Sequence, residues 1–403
     1  MNFNSKNPIL DKKQAVILVQ NLPVPFDRRV WQEAKSLSDA GWEVDVICPS
    51  NEKYPEGDYF LEGVQIHRFA AIKEARTPLG YLREYTQSLS RMRKIIMRLG
   101  REKSVQVLQF CNPPDLLALL ALEVKLSFKS KIIFDQHDLG PELVIAKSMP
   151  FSWFFVRVAQ ITERLAYGVA DRVIATNESY RDIATSRGKK SSTEVTVVRS
   201  GPPKNWADNS QRDLKWRQGH RFQIGYLGVI GEQEGLRSAI EAVKILKEKH
   251  LKDVFFTVVG SGTDLEKIKA YAKQLDVEDN IHFMGRLPDD EMKLVLGSAD
   301  VCVNPDVYSA LNNLSTMNKI IEYMALGVPI VQFDMKEGRF SAGEASLYAT
   351  PDDSHSLAER IDWLLDHVEV REKMGEAGRQ RFRNTLCWDT QEPFLLEAYN
   401  SVL

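Results

Sequence analysis

Cysteine is scarce in this chain. Of 403 residues only Cys48, Cys111, Cys302 and Cys387 are cysteine, far apart and with no CxxC pair. Such spacing excludes a disulfide-stapled scaffold and the usual thiolate zinc site, leaving reduced and buried thiols. No run of about 18 apolar residues occurs, so no membrane span is expected. The opening MNFNSKNPILDKKQ lacks the apolar stretch of a secretory leader. Neither sign of charge dominates: 53 basic residues face 55 acidic ones, a formal net charge of −2. That balance argues against a general nucleic-acid partner. The expectation is a cytoplasmic protein that does not span a membrane, with peripheral contact at the inner face of the plasma membrane left open.

What is present is a globular composition, 43% apolar and 27% charged, over a length suited to two domains. Short β-rich runs alternate with helical stretches throughout. In the first half the runs are AVILVQN (15–21), EVDVICP (43–49), VQIHRF (64–69), VQVLQF (105–110), KIIFDQ (131–136), RVIAT (172–176) and VTVVR (195–199). Strands apolar on both faces and interleaved with helices imply parallel sheets covered on both sides. Residues 202–220 break the pattern with PP and scattered charge and read as a linker. The alternation restarts with FQIGYLGV (222–229), VFFTVVG (254–260), IHFMG (281–285), DVCVNP (300–305) and PIVQF (329–333). The fold class is therefore α/β, with two Rossmann-like, doubly wound domains facing across a cleft. Their bounds are 1–201 and 221–385, and a last helix, 386–403, is expected to pack back on the first domain. Ligands of such folds sit beyond the carboxyl ends of the strands.

The most informative segment is STMNKIIEYMALGVP (315–329). Ser315 or Thr316 is expected to cap a helix that Gly327 ends. Ile320, Ile321, Met324 and Ala325 supply its buried face. Lys319 and Glu322 remain, about one turn (roughly 5.4 Å) apart. Helix N-terminal amides with a lysine suit a diphosphate, and a carboxylate one turn further on suits a cis-diol. The same spacing also suits a surface ion pair.

The run NLSTMNKIIEYMALGVPIV, followed by FDMKEGRFSAGEASLYATPDD, resembles the donor-binding signature of GT-B glycosyltransferases of family 4. PFDRRVWQEAKSLSDAGWEVDVICP, CNPPDLL, FDQHDLGPEL, RLAYGVADRVIATNESYRD, IGYLGVIGEQEG, FTVVGSGTDLEKIK and IHFMGRLPDDEM agree with it in order along nearly the whole chain. The resemblance implies a retaining transferase acting on a nucleotide-diphosphate sugar, UDP or GDP most of all, with no metal and no other cofactor. It places Glu322 on the donor ribose and Lys319 on the diphosphate. Asn318, Thr316, Ser315, Asn313, Arg286, Arg199, Gly228 and Gly260 fall around the donor. His137 and Asp138 would lie next to the transferred sugar, and Arg28, Asp27 and Glu142 on the acceptor or phosphate side. Two positions depart from the family pattern. Leu314 stands where the first motif glutamate belongs, and Val229 and Glu234 stand where many relatives carry Arg and Lys. Neutralising the diphosphate then rests on Lys319, Arg199 and Arg28.

Arg83–Lys103 holds seven basic residues against two glutamates, and SMPFSWFFVRVAQ (148–160) is aromatic-rich. Together they suit shallow contact with an anionic bilayer, which implies a polyprenyl-diphosphate-linked saccharide acceptor in bacterial surface-polysaccharide assembly. A soluble acceptor competes with this reading. The rival functions are a nucleotide-sugar epimerase of related fold and a catalytically silent sugar-nucleotide-binding subunit.

Overall fold

The computed structural model describes residues 13–72, 78–146, 152–208 and 212–403; the side chains of 78–84 and of Ser152 lie outside the description. Part of the region expected to be a linker, residues 209–211, and part of the aromatic-rich segment, 148–151, therefore fall outside it. The chain divides into two units, one of residues 1–198 with 392–403 and the other of residues 199–391.

The first unit is an eight-stranded sheet. Its strands are β1 (Gln14–Leu18), β2 (Glu43–Pro49), β3 (Gly57–Leu61), β4 (Val64–Phe69), β5 (Val107–Cys111), β6 (Lys131–Gln136), β7 (Arg172–Ala175) and β8 (Val195–Val197). They lie in the order β3-β4-β2-β1-β5-β6-β7-β8, all parallel except β3 against β4. The antiparallel β3 has no counterpart among the sequence expectations. It is an edge strand whose side chains are mostly exposed, so GDYFL carries no continuous apolar signal. The central strands are the reverse: β5 is buried at every position, the signature of a strand covered on both faces.

The second unit is a six-stranded, all-parallel sheet of β9 (Phe222–Leu227), β10 (Val254–Val259), β11 (Ile281–Gly285), β12 (Val301–Asn304), β13 (Ile330–Phe333) and β14 (Ser346–Ala349). The order is β11-β10-β9-β12-β13-β14. Chain direction across the sheet reverses between β9 and β12, which makes their carboxyl ends the switch point where ligands of doubly wound sheets bind. Two apolar clusters hold the unit, one built around Phe256, Tyr226 and Leu246 and the other around Ile320, Met324 and Phe382. The described residues of 202–220 are part of this unit: Trp206 and Trp216 pack on the second cluster, and Arg217 bonds Asp300 at 2.7 Å.

Candidate active site

Four features converge at the switch point of the second unit. The loop after β9 begins at Gly228 (φ 153°) and the loop after β10 at Gly260 (φ 142°). A β-carbon on Gly260 would lie 1.8 Å from the carbonyl oxygen of Gly228, so the two loops meet backbone to backbone. The helix Asn318–Leu326 ends at Gly327 in the left-handed conformation (φ 68°), as the sequence implies. Its start differs from expectation. Ser315 and Thr316 do not cap it; Met317 stands at the cap position with no side-chain hydrogen bond. The reason is a separate short helix, Ala310–Leu314, capped by Ser309, whose last turn draws the Ser315 hydroxyl to the Leu311 carbonyl at 2.7 Å. No side chain of the cap residue closes the first turn of Asn318–Leu326, and the Ile320 amide bonds the Met317 carbonyl at 3.1 Å instead.

Tyr323 fixes this helix to the sheet. Its hydroxyl accepts from the Leu227 amide at 2.7 Å and donates to the Val303 carbonyl at 3.4 Å, joining the ends of β9 and β12. Lys319, one turn earlier, reaches the same place. Its Nζ bonds Asp306 Oδ1 at 2.6 Å and lies 4.9 Å from the centre of the Tyr226 ring. Burial works against the charged lysine, but Asp306 and Tyr226 more than offset it and hold its pKa above the ordinary range. Glu322 follows, 9% exposed.

The remaining expected donor residues separate into two groups. Arg199 is buried, stacked 4.2 Å from the Phe340 ring, with Nη1 3.4 Å from Thr316 Oγ1 and 3.5 Å from Glu337 Oε2. It stands in a protein-internal network together with Thr316. Asn313 Oδ1 accepts from the Lys336 amide at 2.8 Å, pinning the short helix Ala310–Leu314 to the start of the helix Lys336–Ala342. Asn318 and Arg286 are exposed.

The first unit has its own polar cluster at the ends of β5 and β6. Asp27 caps the helix Arg28–Asp39 by accepting from the Val30 amide at 3.2 Å. Arg28 is exposed, and the buried arginine is its neighbour Arg29. Arg29 Nη2 bonds Asp135 Oδ1 at 2.7 Å, Nη1 bonds the Val198 carbonyl at 2.9 Å, and Nε lies 3.1 Å from Glu33 Oε1. His137 Nε2 sits 2.5 Å from Asp135 Oδ2 and the ring is 18% exposed. Burial opposes charge on both partners, yet Arg29 and His137 hold the Asp135 carboxyl far below its usual range, and Asp135 raises His137. Glu33 is pushed up to about 8, by burial first and by the Asp135 charge next. Of the two carboxyls beside Arg29, Asp135 is therefore the one held toward its charged form and Glu33 the one pushed toward its protonated form. Asp138 follows on the same loop, its amide 3.2 Å from Asn112 Oδ1. Glu142 is taken by a bidentate bridge from Arg187, at 2.7 and 3.1 Å. Cys111, Asp135 and His137 have ligand atoms within 4.8 Å of one another, a metal-like spacing. The guanidinium of Arg29, 3.2 Å from His137 Nε2 and bonded to both Asp135 oxygens, already fills the cation's place. These residues do not fit a metal ion.

Two sequence profiles decide the family. "Glycosyl transferases group 1" matches residues 210–381, and "Glycosyl transferase 4-like domain" matches residues 27–201. The chain belongs to the group 1 glycosyltransferases. Among relatives, it is 24% identical over 261 residues to the capsular polysaccharide biosynthesis glycosyltransferase CapM of Staphylococcus aureus, covering 61% of this chain and 66% of CapM. The chain spans between 36% and 66% of the length of the first three curated relatives it matches. Among solved structures, sucrose-phosphate synthase from Thermosynechococcus elongatus superposes with a TM-score of 0.79 at 16% identity, over 97% of this chain and 99% of that one. Anabaena HepE in complex with UDP and glucose gives 0.72 at 13%, over 96% and 100%. These likenesses establish the GT-B fold.

Within this glycosyltransferase, sequence reasoning missed Asp306, Tyr226 and Glu33. Asp306 follows Pro305 in a loop with no periodic signal, and only the sheet order brings it to Lys319. Arg29 was hidden by its neighbour, since a sequence window does not show which arginine of a pair turns inward.

Proposed function

We propose that this group 1 glycosyltransferase moves a sugar from a nucleoside-diphosphate donor to a saccharide acceptor in polysaccharide assembly, with retention at the anomeric carbon and without a metal. The observation that carries the reading is Lys319 at the β9/β12 switch point, at the head of a helix whose next turn brings Glu322. An ammonium there suits phosphate oxygens, and a buried carboxylate suits a ribose diol. CapM, named for capsular polysaccharide biosynthesis, and HepE, solved with UDP and glucose, support the pathway and donor class. In the transfer the bond from the anomeric carbon to the phosphate oxygen breaks and the acceptor oxygen bonds the same face. The acceptor's proton goes to the departing phosphate. Lys319 would stabilise the charge gathering on that phosphate, and His137, poised on Asp135, would orient the sugar or acceptor.

A lipid-linked acceptor is favoured by one further observation. The helix Ser152–Val169 exposes Trp153 (70%), Phe154 (51%) and Ile161 (64%), side chains suited to an interfacial layer. The basic stretch Arg83–Lys103, on and just after the helix Pro78–Glu102, supports this less than its composition implies. Arg93 pairs with Glu123, Lys103 with Asp45, and Arg91 bonds the Ala70 carbonyl.

Thermal-shift measurements against UDP-, GDP-, TDP- and ADP-sugars test the donor class. Transfer to a polyprenyl-diphosphate-linked saccharide, with product configuration read by NMR, tests the rest. A shift with none of the four nucleotides, or an inverted product, refutes the corresponding part.

A further inference from the structure

Lys319 does not wait at the switch point as a bare cation. Asp306 Oδ1 holds its Nζ at 2.6 Å, and this carboxylate is buried, its side chain 3% exposed. The second oxygen, Asp306 Oδ2, has no hydrogen-bond partner among the described residues, and neither has the buried Asn304 Oδ1 two residues earlier. The groups facing the pair come from two further elements, Tyr226 on β9 and Glu234 on the turn Glu232–Glu234. Asp264, just ahead of the helix Leu265–Gln274, acts on Glu234 in turn. The immediate surroundings of one ammonium thus contain two carboxylates, Asp306 and Glu234, before any ligand arrives.

A diphosphate brought to this ammonium adds negative charge to a site already negative. Asp306 then loses its cation and gains an anionic neighbour while remaining buried. An unpaired buried carboxylate is costly, and a proton is the simplest way to neutralise it. Burial already raises the Asp306 carboxyl, with only Lys319 acting against it, and Glu234 is raised for the same reason. Asp306 Oδ2, lacking a partner, is the oxygen with room for the proton.

We propose that Asp306 is a proton-coupled partner of Lys319: as the diphosphate of a nucleotide sugar takes the lysine ammonium, the Asp306 carboxylate takes up one proton from solvent. This rests on the reading of the site as a diphosphate site. Lys319 keeps all its protons, the new O–H bond forms on Asp306, and departure of the nucleoside diphosphate returns the proton to water. The bound state holds one proton more than the free state, so donor affinity falls as pH rises. Asp306 is a positioning residue here, acting through Lys319.

Isothermal titration of the intact protein with UDP-glucose and GDP-mannose, in buffers of differing ionisation heat, reads the proton directly. Wild type should take up close to one proton on binding whichever of the two it recognises. Its affinity should fall by up to about tenfold per pH unit above neutrality, the limit for a single linked proton. Asp306→Asn keeps an oxygen for Lys319 but cannot titrate; it should bind without proton uptake and with nearly pH-independent affinity. Glu234→Gln should retain the uptake. Binding by wild type without uptake, uptake undiminished in Asp306→Asn, or uptake lost in Glu234→Gln each overturns the proposal. So does binding that requires magnesium and moves no proton, which would assign the neutralisation to a cation. Should Asp306→Asn fail to fold, the wild-type and Glu234→Gln titrations decide. Failure of wild type to bind any sugar nucleotide would instead refute the diphosphate reading itself.

Discussion

Glu322 and Glu33 are both buried glutamates, and their surroundings assign them opposite tasks. Glu322 lies on the helix that carries Lys319, one turn further along. Glu322→Ala should weaken nucleotide-sugar binding about tenfold or more, the usual worth of a charge-assisted contact. Equal affinity of variant and wild type by titration would remove Glu322 from the ribose. Glu33 sits in the first unit with its carboxyl raised to about 8. The folded state therefore keeps a proton that the unfolded chain releases at lower pH, and stability falls as pH climbs from the ordinary carboxylic range to about 8. Glu33→Gln should flatten that part of the stability profile, as followed by urea unfolding between about pH 5 and 8. A profile unchanged in slope would show that Glu33 is ionised throughout.

At the scale of elements, the second unit's site depends on how closely its loops approach. Gly260 has no space for a β-carbon, since the Gly228 carbonyl would stand 1.8 Å from it. Gly260→Ala must push the β9 and β10 loops apart and also strains a backbone at φ 142°. A loss of about 2–4 kcal/mol in unfolding free energy is expected, together with weaker nucleotide binding. A fully stable variant with normal affinity would contradict the packing. The helix Ser152–Val169 makes a second element-scale prediction. The double variant Trp153→Ser, Phe154→Ser should lose most of its binding to phosphatidylglycerol-containing vesicles in a flotation assay, with its melting temperature unchanged because both side chains are largely exposed. Vesicle binding equal to wild type would leave this face without a membrane role.

At the scale of the whole chain, the first unit is completed by residues from its far end. Glu392–Leu403 group with residues 1–198. Leu395, Ala398 and Tyr399 are fully buried, Tyr399 meets Trp42 edge-on at 5.3 Å, and its hydroxyl donates to Gln109 Oε1 at 2.7 Å. Gln109 in turn donates to Glu33 at 2.7 Å, so the last helix braces the Arg29–Asp135 cluster. Deleting 392–403 should lower the first unit's melting temperature sharply, by several degrees or more for the loss of a buried aromatic and its neighbours. Adding the 388–403 peptide in trans to the truncated chain should restore part of it. A truncated protein melting like the full chain would refute the brace.

The sequence by itself determined the alternation of buried strands and helices, the two doubly wound sheets and the segment 315–329, because periodicity and glycine chemistry are local properties. It also determined the family, whose motifs run along the chain in order. It did not determine the edge strand β3, too exposed to carry an apolar signal, nor the cap of the helix Asn318–Leu326, which the short helix before it displaced. Only the tertiary structure decided which charges meet. Asp306 reaches Lys319, and Arg29 rather than Arg28 reaches Asp135, because sheet order brings together residues separated by 13 and by 106 positions. A buried charge is neutralised by whatever the fold places within reach, and that distance is not written in sequence spacing.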